Sequence, residues 1–263
     1  ASFSGFYMAM MLLLFALICR AVAIEFRSKR ESPLWRGAWD VSFSLASIVG
    51  SLLIGVALGN IAWGIPLDER FVFTGTFLRL LHPYALLVGI TTVALFMMHG
   101  AIYVTLKTEG ELQAKVKGWI NNTIILFIIC YATTTMATLL YVPHMTENIR
   151  AHPWLFAVPL LNMLAIANIP REIHHQRYFR AFLSSCAAMA LLMALFGIDM
   201  YPNLILSRPD PANSLTIHNA ASSQKTLQIM GIMALIGMPV VIAYTSSIYW
   251  IFRGKVKLDA SSY

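Results

Sequence analysis

The sequence predicts an all-α integral membrane protein: a polytopic helical bundle with about seven transmembrane helices, and residues 1–263 as a single transmembrane domain. Three observations predict it: the composition, a set of apolar runs of spanning length, and an alternation of charge between successive loops. Of 263 residues, 58% are hydrophobic and 12% are charged, and the mean hydropathy is +0.69. A water-soluble domain carries roughly a quarter charged residues. The net charge of +7 is spread over loops and the C-terminus, so it reads as orientation charge and not as a nucleic-acid surface.

Crossing a bilayer takes about 20 mainly apolar residues. Seven stretches meet that demand: Gly5–Ile24, Asp40–Trp63, Leu81–Leu106, Ile120–Val142, Trp154–Ile169, Phe179–Tyr201 and Gln228–Phe252. Their middles are nearly free of Lys, Arg, Asp and Glu. The fifth is the shortest, which suggests a tilted or distorted span.

Loop charges test the count independently, because Lys and Arg accumulate on the cytoplasmic side. The first loop carries Arg27, Lys29, Arg30 and Arg36, the third Lys107, Lys115 and Lys117, the fifth Arg171, Arg177 and Arg180, and the tail Arg253, Lys255 and Lys257. The intervening loops are poorer and offset by acids, as with Arg70 and Arg79 against Asp68 and Glu69, or Arg150 against Glu147. This alternation places the C-terminus in the cytoplasm. Trp35, Trp39, Trp119, Trp154 and Trp250 fall near span ends, where amphipathic rings settle. Pro66, Pro83, Pro143, Pro153, Pro170 and Pro202 also read as lying at or near span ends, while Pro159 and Pro239 read as interior kinks. The chain begins at Ala1 and enters an apolar run at once, without a basic leader, and reads as an entry into the middle of a larger protein.

Cys19, Cys130 and Cys186 each sit alone in an apolar run and read as small buried hydrophobes. His82 and His99 share the third span. They lie about 25 Å apart at 1.5 Å per residue, too far to grip one haem. His144, His152, His174, His175 and His218 fall in loops or at interfaces and read as solvated or capping side chains; the adjacent His174 and His175 should diverge on a helix. No metal is assigned. The last span lacks the lysine that a retinal protein needs, and no phosphate loop or nucleophile–base pair is present. Among intramembrane polar residues, Asn60, Asn121, Asn122, Asn162 and Asn168 are suited to hydrogen bonds between helices. Asp199 lies near the outer end of its span, and Arg20 is the one basic residue within the first. Ionisable groups are costly in lipid and are functional candidates by default.

Several segments, taken in order, resemble subunit II of cytochrome bd-type quinol oxidases. They include Phe3-Ser4-Gly5-Phe6-Tyr7, Arg20, Glu25-Phe26-Arg27-Ser28-Lys29 and Trp35-Arg36-x-x-Trp39-Asp40. Gly59-Asn60 leads on to Gly64-Ile65-Pro66-Leu67, and Lys107-Thr108-Glu109-Gly110-Glu111-Leu112 follows. Ser214-Leu215-Thr216, Ala221-Ser222-Ser223, Lys225-Thr226-Leu227, Ala243-Tyr244-Thr245 and Arg253-Gly254-Lys255 complete the set. His82-Pro83-Tyr84 and His99-Gly100-Ala101 are closer to the cyanide-insensitive branch.

The resemblance implies about nine spans in the intact subunit, two of them before the start of this chain, and a multi-pass protein of the bacterial inner membrane. It implies a complex that oxidises quinol and reduces dioxygen to water. Haems b and d would belong to a partner, the haem-bearing subunit I, with none ligated by this chain. A bound quinone or lipid and a small single-span subunit are further expected companions. The role implied for this chain is to stabilise subunit I and to contribute to proton access, with Arg20 and Glu25 as the proton-path candidates and no catalytic residue. Where the family often has Trp-Asp, this chain has His218-Asn219, so no role carries over there. The rival reading is a stand-alone transporter or channel. It would need a midplane site of broken helices or convergent charges, and intramembrane charges are few.

Overall fold

The computed structural model describes residues 5–255. Ala1, Phe3 and Ser4 of the opening, and Lys257 of the tail, lie outside the described residues. Helix α1 spans Tyr7–Arg27 and α2 spans Pro33–Trp63. Then come α3, Pro83–Lys107, and α4, Gly110–Tyr141. A short helix α5, Glu147–Ala151, lies in the next loop. It is followed by α6, Ala157–His174, α7, Tyr178–Met200, and α8, Gln224–Ile251. Among the described residues seven helical segments are long and apolar enough to cross a membrane, and each overlaps one predicted span.

The boundaries differ where helix continues beyond the apolar run. Helix α2 starts at Pro33 instead of Asp40, and α4 at Gly110 instead of Ile120. At 31 and 32 residues they are about 46–48 Å long, well beyond a ~30 Å hydrocarbon core. A helix satisfies its own backbone in water as in lipid, so hydropathy locates the membrane and not the helix end. Pro33 helps start α2, since its missing N–H is one that a first turn leaves unbonded anyway.

The fifth span differs in another way. A 3₁₀ turn, Pro153–Phe156, leads into α6, which continues beyond Ile169 to His174. Pro159 sits in the first turn of α6, where no N–H is required, so it is not a kink. Pro170 is the interior proline instead, and Pro239 lies inside α8 as expected. One feature outside the all-α expectation is a small antiparallel ribbon, β1 (Asn203–Ile205) with β2 (Leu215–Thr216).

The main core lies among α3, α4, α6 and α7. Met98, Ile102, Phe127 and Ile169 are fully buried there. The α1–α2 hairpin joins this bundle through α2, whose Gly55 and Gly59 face α3. A Cβ on Gly59 would stand 2.8 Å from the Ala85 Cα, and one on Gly55 2.7 Å from the Gly89 Cα. Small residues on both helices let two backbones approach closely, as association in lipid favours. Two smaller clusters close the Trp63 end of the bundle, one around Ile65, Leu67, Leu80 and Ile205, the other around Ala62, Tyr84, Val142 and Met200. Helix α8 buries no residue. It is held near its C-terminus, where the Lys107 Nζ donates to the Phe252 and Gly254 carbonyls at 2.9 and 3.2 Å.

Candidate functional site

At the Arg27 end of the bundle, α1 and α2 are joined by a two-point pair. The Arg27 Nε donates to the Asp40 Oδ1 at 2.6 Å and its Nη2 to the Oδ2 at 3.2 Å. Trp35 donates its indole N–H to the Phe26 carbonyl at 2.7 Å, and Trp39 lies against both rings. The proton-path candidates occupy the same hairpin. Arg20 is exposed, with its guanidinium carbon 5.4 Å from the centre of the Phe43 ring on α2. Glu25 is exposed as well. Helix α1 runs on beyond the predicted span to Arg27, so Arg20 lies about two turns inside its end.

Asn60 is fully enclosed and donates to the Val56 and Leu80 carbonyls, both at 2.7 Å. It therefore pins the loop before α3 to α2. Asn162 donates to the Tyr131 hydroxyl at 3.1 Å, and Asn168 to the Ser184 hydroxyl at 2.9 Å, both between helices as expected. Asn121 and Asn122 do not follow that expectation: both are exposed on α4. They sit at the start of the predicted span, next to the stretch of α4 that projects beyond it. His174 and His175 also depart from the reading, with rings 5.6 Å apart edge to face. His175 has left helical geometry as the C-cap of α6, so the helical divergence does not apply.

No histidine pair suited to one haem forms among the described residues. His82 caps α3: its Nδ1 accepts from the Ala85 N–H at 3.3 Å. His99, at the other end of the same helix, bonds through Nδ1 to the Ser185 hydroxyl at 2.8 Å. No group of three His, Cys, Asp or Glu that could hold a metal occurs among the described residues.

A cleft of about 1010 Å³ lies alongside α2, α3, α4, α6 and α7. Most of its wall is aliphatic or aromatic. A series of hydroxyls runs along the α3–α4 seam, where Thr91 meets Thr134 at 2.6 Å and Tyr84 meets Thr138 at 2.9 Å. Arg150 and Asp199 line the cleft at the Met200 end of α7, and the Asp199 Oδ1 is buried without a partner.

A second polar group at this end was not visible in the sequence. The His144 Nε2 lies 2.9 Å from the Ala62 carbonyl, and its Nδ1 lies 3.5 Å from the Arg208 Nη2. The Arg208 guanidinium carbon lies over the Trp63 ring, 4.9 Å from its centre, and the His82 ring lies tilted against the same indole with centroids 5.0 Å apart. Burial first, and the Arg208 charge second, hold the His82 pKa below the ordinary imidazole value. His144 is likewise depressed, mainly by burial and further by Arg208, against upward pulls from its bond to Ala62 and from Glu147. His144 and Arg208 are far apart in sequence, on separate loops, so no spacing could have joined them.

The family of cytochrome bd terminal oxidase subunit II matches residues 1–252. The chain belongs to that family. As a subunit II, it is part of a cytochrome bd-type terminal oxidase, an oxidoreductase complex, and it is a multi-pass bacterial membrane protein. The stand-alone transporter reading is not favoured. Subunit 2 of the cytochrome bd-I ubiquinol oxidase of Escherichia coli (strain K12) is 31% identical over 97% of this chain and 76% of its own length. Subunit 2 of the cytochrome bd ubiquinol oxidase of Bacillus subtilis (strain 168) is 27% identical over 96% of this chain and 74% of its length. The solved bd oxidase from Geobacillus thermodenitrificans aligns with a TM-score of 0.73 at 15% identity, covering 93% of this chain and 73% of that one. That likeness speaks for the fold.

Proposed function

We propose that this subunit II serves as the scaffold for a haem-bearing subunit I in a complex that oxidises quinol and reduces dioxygen to water. The haems b and d belong to the partner on this reading. The observation that carries it is α8: an apolar 28-residue helix with no buried residue, tied near its C-terminus by Lys107 to the Phe252 and Gly254 carbonyls and by Lys255 to Glu109. A helix standing free of its own bundle offers a large packing face, and packing is what associates helices in lipid. The likeness to subunits of two ubiquinol oxidases supports quinol as the substrate of the complex. The 1010 Å³ cleft has the apolar wall and few polar groups suited to a bound lipid or quinone. The loop-charge alternation supports a cytoplasmic C-terminus, and a small single-span subunit would be a further companion.

Within this role we assign Arg20 and Glu25 to proton access from the Arg27 end. Their exposure suits contact with a partner subunit or with water, and both lie on the helix that Arg27 ties to Asp40. The test is purification of the complex and measurement of proton uptake with Arg20→Leu and Glu25→Gln. The scaffold reading expects co-purification with a haem-bearing partner. The proton reading expects full haem content with slowed uptake in at least one variant. A colourless, self-sufficient protein refutes the scaffold, and normal uptake in both variants refutes the proton assignment.

A further inference from the structure

The polar group around Trp63 has an internal logic of protonation. The Ala62 carbonyl can only accept, so at 2.9 Å the His144 Nε2 must carry the proton. The neutral ring then turns its Nδ1 lone pair toward the Arg208 guanidinium. His82 repeats the pattern. Its Nδ1 accepts from the Ala85 N–H, so the neutral ring holds its proton on Nε2, which is buried without a partner. In both rings the one position open to a second proton is already accepting a hydrogen bond. Proton uptake by either ring breaks that bond and sets a new cation beside Arg208.

Arg208 belongs to the loop over residues 201–217, which contains the β1–β2 ribbon. That loop is fastened to the end of α2 by backbone bonds, Ile65 N–H to the Leu206 carbonyl and Arg208 N–H to the Ile65 carbonyl, both 3.0 Å. The Asn213 side chain adds a bond to the Leu67 carbonyl at 3.3 Å. Arg208 adds a second side-chain attachment, with its guanidinium over the Trp63 ring and its Nη2 3.5 Å from the His144 Nδ1, while His82 lies against the same indole.

We propose that His82, His144 and Arg208 form an acid-sensitive latch, which holds the 201–217 loop against α2 and α3 while both imidazoles are neutral and loosens it when the solution on that side acidifies. The charged and titratable groups around it are few; Arg79 lies in the Phe77–Leu81 turn that His82 ends. Glu147, at the start of α5, opposes Arg208 at His144. Arg150 on α5, Asp199 at the end of α7, Tyr84 on α3 and Tyr141 at the end of α4 lie on the elements that pack nearby. Asp210 follows Arg208 in the loop, where its Oδ1 accepts from the Ala212 N–H. Burial and the guanidinium both favour the neutral rings, so the latch is closed near neutrality and opens below it. It does not depend on what the Arg27 end of the bundle does.

The test is hydrogen–deuterium exchange on the intact oxidase complex at pH 7.5 and 5.5, corrected for the intrinsic pH dependence of exchange. Protection over residues 203–217 should fall on acidification, by up to about tenfold per pH unit for each proton taken up. Protection in the core around Met98 and Phe127 should hold. His144→Gln retains a side-chain N–H for the Ala62 carbonyl and does not titrate, so it should weaken the pH response. Arg208→Gln removes the cation and should raise exchange of the loop at pH 7.5. Equal protection of the wild-type loop at both pH values overturns the proposal, as does an undiminished response in Arg208→Gln. Should His144→Gln not assemble, the wild type and Arg208→Gln decide the matter alone. Haem absorbance of the same samples separates a failed latch from a failed scaffold.

Discussion

Replacing Gly59 by alanine tests the close crossing of α2 and α3. The added Cβ would stand 2.8 Å from the Ala85 Cα, and 3.1 and 3.2 Å from the Val88 Cβ and Cγ2. Ordinary contact begins near 3.4 Å, so the backbones must separate by about 0.6 Å at this point. A backbone atom cannot turn aside as a side-chain end can. Overpacking of this kind costs about 1–3 kcal/mol, against a gain of about 1 kcal/mol from the better helix propensity of alanine. Gly100 on α3 is the control, since a Cβ there meets nothing within 4 Å, and only the propensity gain remains. The two variants should therefore differ by about 1–3 kcal/mol. At about 2–4 °C per kcal/mol this is roughly 2–12 °C in apparent Tm. Thermal melts of the purified complex, followed by loss of native absorbance or by aggregation, would read it. An apparent Tm for Gly59→Ala as high as that for Gly100→Ala would refute the close crossing. Gly59→Val should be worse than Gly59→Ala, and its neighbour Asn60 should lose its grip on the Leu80 carbonyl.

Other expectations follow from single residues. Asn60→Leu leaves the Leu80 carbonyl without its donor in a buried place, and should cost about 1–3 kcal/mol, read as a lower apparent Tm with unchanged expression of the partner. Phe127→Ala empties a fully buried position in the main core. It should cost about 3–5 kcal/mol by the measure of water-soluble cores, with a hydrophobic probe entering the bundle at lower temperature than in the wild type. The depressed His82 and His144 pKa values set the sign of a pH dependence. The unfolded rings take up protons near pH 6.5 while the folded rings stay neutral to lower pH. Stability is therefore fully present above that range and falls as the pH drops below about 6.5. Apparent Tm values at pH 7.5, 6.5 and 5.5 should decline, and Arg208→Gln should flatten the decline.

The span count was legible because lipid enforces it: each crossing needs its own apolar run, and the loops carry their sidedness as Lys and Arg. Helix ends were less legible. The extensions of α2 and α4 beyond the membrane carry Arg36, Lys115 and Lys117, which break an apolar pattern without breaking a helix. The prolines of the fifth span were misassigned for the same reason, since a proline is placed by the start of its helix, and that start lies at Ala157.

The polar groups divide in a comparable way. Asn60, Asn162 and Asn168 could be recognised as helix-joining side chains because an amide in an apolar run must find a partner. Which partner each one finds was not written locally. Asn60 reaches a carbonyl 20 residues away, and Asn162 a hydroxyl 31 residues away on another helix. Asn121 and Asn122 carry the same residue type and make no side-chain hydrogen bond among the described residues, since both are exposed on α4.

By itself, then, the sequence determined seven segments long and apolar enough to cross a membrane, which loops carry the positive charge, and which family its segments resemble. These follow from the solvent, which acts on each residue where it stands. Only the tertiary structure decided that Gly55 and Gly59 meet Gly89 and Ala85, that α8 buries no residue, and that Arg208 meets His144 and Trp63, with His82 against the same indole. Those are contacts between distant segments, set by how seven helices pack at once, and close packing joins residues that no local pattern can pair.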